Sequence, residues 1–326
     1  MRIKPLIIVA GEPYSIFSEI FLKIYKKKIK KIKSPIVLVA SKKLFEKQMN
    51  KLNYYGKINS IKLSEISNIH LNNKFINLID VSFKFNKTFD KISYKSYGYI
   101  KNSFNIALKI LKNNCGIGMI NGPIAKKFFL KKNYPGITEY ISKKSQCRNP
   151  VMLIYNNKLA VSPITTHLPL KYVSKNITIK KIVQNVTEIS KFYKKYLKKK
   201  ISIAVLGLNP HCETIDSFSE ETKIIIPAIK ILKNKKINTQ GPYSADTFFQ
   251  NKNLKKFNVV IGMYHDQVLT PMKTLFKFDA INITLGLPFL RISPDHGTNN
   301  EMIGQKKSDP QSLYSAIKFF NKIKWK

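Results

Sequence analysis

An α/β protein of two lobes, with mainly parallel sheets covered by helices on both faces, is predicted by three features of the chain. Short apolar runs alternate with helical-period segments, polar residues gather where apolar runs stop, and 326 residues exceed the usual size of one domain. Such alternation builds parallel strands joined by helical crossovers, and ligands bind at the carboxyl ends of those strands.

Pro5–Ala10 reads as an apolar strand, Gly11-Glu12-Pro13 as a turn, and Ser15–Lys27 as an amphipathic helix, because Ile16, Phe17, Ile20, Phe21 and Ile24 recur at helical spacing. Pro35–Ala40 and Lys42–Leu52 repeat the strand and helix; Phe75–Val81 is a further strand, followed by a helical pattern from Tyr94 to Leu111. Gly116–Ile120 is a strand closed by Asn121-Gly122-Pro123, with a helix from Ile124. Pro135-Gly136 marks a turn and a domain crossing near Lys131–Gly136. Val151–Tyr155 and Lys158–Ile164, joined across Asn156-Asn157, read as a hairpin, so the second lobe opens with antiparallel strands. A helix over Ile177–Leu197, a strand over Ile201–Leu206 and a helix over Glu220–Lys233 follow, and the loop Gly241–Thr247 opens a short helix. Leu71–Lys74 and Asn251–Lys256 read as surface loops.

Chemistry concentrates in Val259–Gly304. Phe257–Met263 and INITLGL read as buried strands, and His265, Asp266, Gln267, Lys273, Asn282, Arg291, Asp295 and His296 lie among prolines, small residues and short apolar runs. Any one of them could cap a helix or satisfy buried backbone; the whole set points to a site.

The net charge of +40 suggests nucleic acid at first sight. Only Arg2, Arg148 and Arg291 among the 58 basic residues are arginines, however, whereas base-edge and phosphate recognition favour Arg. The lysines accompany Ile and Asn throughout on helix faces such as KFYKKYLKKK, which reads as compositional drift on solvated faces. No specific nucleic-acid partner and no membrane partner are expected, since no apolar run reaches about 20 residues. The opening residues read as a strand rather than a signal peptide, so the expected location is cytoplasmic. Cys115, Cys147 and Cys212, odd in number and widely spaced, suit a reducing compartment.

Four of the five histidines (His167, His211, His265 and His296) stand at the ends of apolar runs. Those in TTHLP, LNPHCE and YHDQ share one context, and three imidazoles converging from separate strand ends can hold a divalent metal with open positions. The alternative is a hydrogen-bonded histidine in each turn, and no HExxH-type motif decides between them.

The motifs NGPIAK, ITTHLPL, GLNPHCE followed by EE, GPYSADTFF, YHDQVLTPMK and INITLGLPFLRISPDHGT, in this order, closely resemble those of the 4-hydroxythreonine-4-phosphate dehydrogenase family of pyridoxal phosphate biosynthesis over essentially the whole chain. The resemblance implies an isocitrate/isopropylmalate-dehydrogenase-like fold. Its first lobe is expected at 1–132 plus 285–326 on the cofactor side, and its second at 133–284 on the metal and dimer-interface side. It also implies a homodimer whose active site lies between lobes and subunits, with a divalent metal (Zn, Mn, Co or Mg) and NAD or NADP bound without a GxGxxG loop. By position, the metal ligands are His167, His211 and His265, one subunit supplying part of the set to the other. Thr138, Lys273, Asn282 and Arg291 carry over as substrate-binding residues, and Asp295, His296, Gly297 and Thr298 as the segment that meets the cofactor. Lys273, Asp246 and Asp266 are the candidate catalytic groups, the two aspartates either moving protons or orienting a histidine.

Three segments depart from the family pattern. Its glycine-rich first loop, GDPAGIGPE, is GEPYSIFSE at Gly11–Glu19, so the loop is expected to take another shape. The family's GHTE is Gly136-Ile137-Thr138-Glu139, isoleucine replacing a substrate-contacting histidine, and Asn299-Asn300 follow DHGT. Besides the named dehydrogenase, a dehydrogenase for another phosphorylated hydroxy acid of the phosphothreonate kind, or a metal-retaining non-catalytic homologue, is compatible with these changes.

Overall fold

The computed structural model describes residues 3–29, 32–131, 133–213, 217–276 and 280–323; Arg2 lies outside them. In chain order the elements are β1 (Leu6–Val9), α1 (Phe17–Lys27), β2 (Ile36–Ala40), α2 (Lys42–Lys51), β3 (Ile58–Ser60), β4 (Ile76–Asp80), α3 (Tyr97–Lys112), β5 (Gly118–Asn121), α4 (Lys126–Phe129) and α5 (Ile137–Lys144). Then come β6 (Val151–Tyr155), β7 (Ala160–Thr165), α6 (Val173–Asn176), α7 (Ile179–Phe192), β8 (Ile203–Leu206), α8 (Ile226–Asn234), β9 (Thr239–Tyr243), α9 (Ala245–Phe248), α10 (Asn251–Lys256), β10 (Val259–Tyr264), α11 (His265–Phe276) and β11 (Ile281–Leu285). β12 (Leu290–Ser293) and α12 (Gln311–Lys322) close the chain. No helix among the described residues is long and apolar enough to cross a membrane.

Two compact units emerge, one of Met1–Pro150 with Leu287–Lys326 and one of Val151–Gly286. Residues 133–150, placed with the second lobe in the sequence reading, thus pack with the first. Tyr140 and Ile141 on α5 are the cause, since both are buried in the core that also holds Phe104 and Phe129.

In the first unit the strand order is β3-β4-β2-β1-β5-β12, and every pairing is parallel. The order reverses direction beside β1, so the loops leaving β1 and β5 meet at the carboxyl edge, the ligand-binding position in parallel sheets. They meet closely: a Cβ on Gly11 (φ +80) would lie 2.4 Å from the Pro123 carbonyl oxygen, and one on Gly122 would lie 2.2 Å from that of Ala10. The substitutions in the first loop are absorbed by burial. Tyr14 meets Phe83 edge-on at 5.7 Å, and Ser15 Oγ donates to the Glu12 carbonyl at 2.7 Å. Within Leu71–Lys74, expected as surface, Asn73 is instead buried and bonds the backbone of Ile32, Ser34 and Ile36 ahead of and at the start of β2.

The second unit has the order β11-β6-β7-β10-β8-β9. β6 pairs antiparallel with both β11 and β7, the expected hairpin, whereas β7, β10, β8 and β9 are parallel neighbours. Three features went unread in the sequence. β3 is too short and exposed to show periodicity, β9 includes Gly241 and Pro242, and α10 occupies a Lys-Asn-rich segment read as a loop.

Four helices end in the same hydrogen-bonded turn, with a left-handed residue that is not glycine. Asn53, Asn114, Gln146 and Lys236 each have φ near +56 or +57, with the paired backbone bonds of a Schellman motif, as in Lys236 N–H to the Lys233 carbonyl and Ile237 N–H to the Leu232 carbonyl. A β-carbon in this conformation costs roughly 1 kcal/mol, less for Asn. Lys236→Gly is therefore expected to stabilise the protein by about 0.5–1 kcal/mol and Asn53→Gly by less. Urea midpoints measure both, and a destabilised Lys236→Gly would contradict the assignment.

Glu12 in the β1 loop generates a pH dependence. It is 1% exposed, accepts from Ser96 Oγ at 2.9 Å through Oε2, and encloses Oε1 with no hydrogen-bond partner among the described residues. Burial pushes its carboxyl up to about 7, against the lowering effects of the Ser96 hydroxyl and the Tyr14 N–H. The folded state holds this proton more tightly than the unfolded chain, so the contribution to stability is full below about pH 4.5 and is lost as pH rises through about 7. Glu12→Gln removes the group, and at pH 8 it is expected to gain roughly 1–3 kcal/mol over wild type, from about 1.4 kcal/mol per pKa unit. If the gap between variant and wild type in urea unfolding is the same at pH 4.5 and pH 8, Glu12 is not the group responsible.

Candidate functional site

His167, His211 and His265 follow β7, β8 and β10, and these strands are adjacent and parallel with β10 in the middle. Parallel pairing of Tyr264 with Thr165 brings the ends of β10 and β7 level, and the imidazoles of His265 and His167 stand 6.0 Å apart between ring centroids. Two of the three sit on strained backbone: His167 has φ +48 and His211 φ +57, sparsely populated for non-glycine residues and found where a site over-determines the chain.

Carboxylates lie beside two of these rings, and one of them is hydrogen-bonded. Asp266 Oδ1 is 2.7 Å from His265 Nδ1, which favours the proton on Nδ1 and an acceptor lone pair on Nε2. Asp246 Oδ2 is 3.7 Å from His211 Nδ1. The Ser244 hydroxyl, with the Thr247 N–H and His211 also contributing, holds the Asp246 carboxyl below its usual range, so Asp246 is ionised at neutral pH.

The loop carrying His211 is built by a residue that the sequence reading did not single out. Glu221, fully buried, accepts from the N–H groups of Leu208 and Asn209 at 2.7 and 2.8 Å and from Asn209 Nδ2 at 2.7 Å. Gln267 performs the same task between strands, accepting the Met263 N–H and donating to the Gly207 carbonyl. The signal for Glu221 was the acidic pair after LNPHCE, but its long-range backbone contacts have no periodicity to reveal them.

Among the described residues of one chain, no three His, Cys, Asp or Glu side chains come together closely enough to hold a metal ion. The donors are nonetheless of the right kind. They are imidazoles at strand ends, and one ring nitrogen of His265 is tied to a carboxylate. Also in the second unit, Lys273 is exposed on α11, and Asn282 on β11 encloses Oδ1 with no hydrogen-bond partner among the described residues.

In the first unit, Arg291 on β12 is fully buried. Its Nε donates to Asn121 Oδ1 at 2.8 Å and one terminal nitrogen donates to Thr138 Oγ1 at 2.9 Å. Burial lowers the guanidinium to about 10, opposed by the Glu139 carboxylate, so it remains charged at neutral pH. Ile137 begins α5 beside Thr138 and packs, half-buried, against the core. The Asp295–Thr298 segment braces its surroundings: the Asp295 N–H donates to Ser312 Oγ, His296 Nε2 accepts the Leu313 N–H in the first turn of α12, and the Thr298 carbonyl accepts the Ile16 N–H. Desolvation depresses the His296 imidazole, which suits this acceptor role. Gly297 is exposed.

Residues 31–320 match the family model of the pyridoxal phosphate biosynthetic protein PdxA. A 4-hydroxythreonine-4-phosphate dehydrogenase from Sulfurihydrogenibium sp. (strain YO3AOP1) is 37% identical over 319 residues, covering 96% of each chain. The solved structure of a putative 4-hydroxythreonine-4-phosphate dehydrogenase from Salmonella typhimurium superposes with a TM-score of 0.84 at 26% identity, covering 98% of this chain and 99% of that one. Isocitrate dehydrogenase from Methylococcus capsulatus, at a TM-score of 0.51, 7% identity and coverage of 98% of this chain and 85% of that one, shares the fold alone. The α/β architecture is thus that of the isocitrate dehydrogenase-like proteins, and the chain belongs to the PdxA family of pyridoxal phosphate biosynthetic proteins.

Proposed function

We propose that the protein is a metal-dependent, NAD- or NADP-linked 4-hydroxythreonine-4-phosphate dehydrogenase of the cytoplasm. It removes hydride from C3 and a proton from the 3-hydroxyl of 4-phosphohydroxy-L-threonine. The resulting β-keto acid loses carbon dioxide, and a proton replaces it to give 3-amino-2-oxopropyl phosphate. The observation carrying this reading is the set His167, His211 and His265 at the ends of three adjacent parallel strands, in the family's own motifs.

Those histidines would hold the divalent ion, with a second copy of the chain completing the set. When bound, the ion supplies positive charge to the oxygen being oxidised and to the carbonyl through which carbon dioxide is lost. Asp266 holds His265 in the tautomer suited to a ligand, and Asp246 adds negative charge beside His211, a better use of two exposed carboxylates than proton transfer. Lys273 and Arg291 supply positive charge to the phosphate and carboxylate, with Thr138 and Asn282 as hydrogen-bonding partners of the substrate. Asp295–Thr298 is the segment proposed to meet the nicotinamide cofactor.

Roughly one divalent ion per subunit is expected in the purified protein, and His211→Ala should lose both the ion and turnover. Because the set is shared, mixing His211→Ala with His265→Ala chains, each inactive alone, is expected to restore up to about a quarter of wild-type activity, half of the dimers being mixed with one intact site each. A stable active monomer, or full activity after chelation, would overturn this arrangement.

Ile137 sets the second test. A histidine at this position would donate a hydrogen bond to substrate, and its loss is worth roughly 1–3 kcal/mol of transition-state binding, about tenfold to hundredfold in kcat/KM. Weak activity on 4-phosphohydroxy-L-threonine that improves in Ile137→His is therefore expected. The packing of Ile137 against the core favours the second reading, a pocket tuned to another phosphorylated hydroxy acid. A lower kcat/KM in Ile137→His, together with fast turnover of such an acid by wild type, would establish it instead.

A further inference from the structure

We infer that the first unit carries a binding pocket for a small zwitterion alongside α5, with an anionic group held by Arg148 and Lys143 and a hydrogen-donating ammonium facing Glu139. This goes beyond the proposed dehydrogenase activity, which does not use Ser142, Lys143, Gln146 or Arg148.

The pocket is a cleft of about 650 Å³, within the usual range for small-molecule sites. Glu139, Ser142 and Lys143 line it at the i, i+3, i+4 spacing that puts them on one face of α5, and Gln146 lines it from the turn that follows. Tyr140 and Ile141 face the core. The opposite wall is Cys147–Pro150, and its position is fixed rather than incidental. The Schellman turn at Gln146, with the Gln146 N–H donating to the Lys143 carbonyl and the Cys147 N–H to the Ser142 carbonyl, folds the chain back along α5.

Two observations point to a ligand. Ser142, 3% exposed, and Glu139 each enclose a side-chain oxygen with no hydrogen-bond partner among the described residues, which a bound donor in the cleft would satisfy. Arg148 is an exposed guanidinium in a chain that uses lysine for 55 of its 58 cations. Its planar fork, matched to phosphate or carboxylate, is what lysine cannot replace. Lys143, whose Nζ lies 5.7 Å over the Tyr134 ring, stands one turn from Glu139 and adds a second positive charge. A lining that carries both cations and a carboxylate favours a molecule bearing both signs.

The test uses full-length protein and phosphoethanolamine, with inorganic phosphate and ethanolamine as separate arms. Isothermal titration is expected to show phosphoethanolamine binding more tightly than either fragment, at least tenfold weaker binding in Arg148→Gln, and loss of the preference over phosphate in Glu139→Gln. Loss of binding in Arg148→Gln, a residue outside the Arg291–Thr138 cluster, separates this pocket from that cluster. Cys147 supplies an independent readout, because it lines the cleft and is half-buried. Phosphoethanolamine should slow its alkylation by iodoacetamide severalfold while leaving Cys115 and Cys212 unaffected. Unchanged binding in Arg148→Gln, or no protection of Cys147 at saturating ligand, would overturn the proposal.

Discussion

One positive charge held out of water organises the first unit. The Arg291 guanidinium has no solvent exposure, and an uncompensated charge in such a place is costly enough that its partners become obligatory. Asn121 on β5 and Thr138 on α5 each accept from it, and Glu139 supports its charged form. Satisfying Arg291 therefore fixes β12 beside β5 and α5 over both, although 170 residues separate Arg291 from Asn121 along the chain. A hydrogen bond to a charged group is typically worth about 1.5–3 kcal/mol, so the geometry of this edge is enforced by polar contacts as well as by apolar packing.

In the second unit, strand order does comparable work. Parallel neighbours end on the same side of a sheet, so placing β10 between β7 and β8 brings three histidine-bearing turns to one edge without a local sequence motif. Rigidity comes from polar side chains behind the edge, where Glu221 holds the turn after β8 and Gln267 ties β10 to it. The left-handed backbone at His211 is tolerable because these neighbours leave its turn little freedom.

This division explains what could be read in the sequence. Strands such as β1, β2 and β10, buried on both faces, are continuous apolar runs and are visible as such, and α1 and α7 show their buried stripe. The histidines were legible because the composition avoids them and each ends an apolar run. Invisible were features that depend on a distant partner: Asn73 bonding the backbone ahead of β2, Glu221 building a loop 12 to 13 residues earlier, and the packing of α5 with the first unit. His296 was legible as special but not as a brace for α12, since the Leu313 N–H that it accepts lies 17 residues away.

The lysine- and asparagine-rich composition reaches further into the structure than the surface, and its limits are informative. Helix ends where glycine is the usual choice carry Asn53, Asn114, Gln146 and Lys236 in the left-handed conformation, so glycine was dispensable wherever only backbone strain of roughly 1 kcal/mol opposed its loss. It was not dispensable at Gly11 and Gly122, where a β-carbon would overlap the backbone oxygen of the facing loop. The difference is one of magnitude: a strained dihedral is a small, local cost, whereas a 2.2–2.4 Å contact against backbone forces two strand ends apart. Those strand ends form the carboxyl edge of the first unit, so glycine at both positions keeps that edge closed. The same reasoning applies to arginine, which is scarce against lysine throughout the chain. It persists at Arg291, whose bonds to Asn121 and Thr138 need two separate nitrogens in a fixed plane that a single ammonium cannot supply.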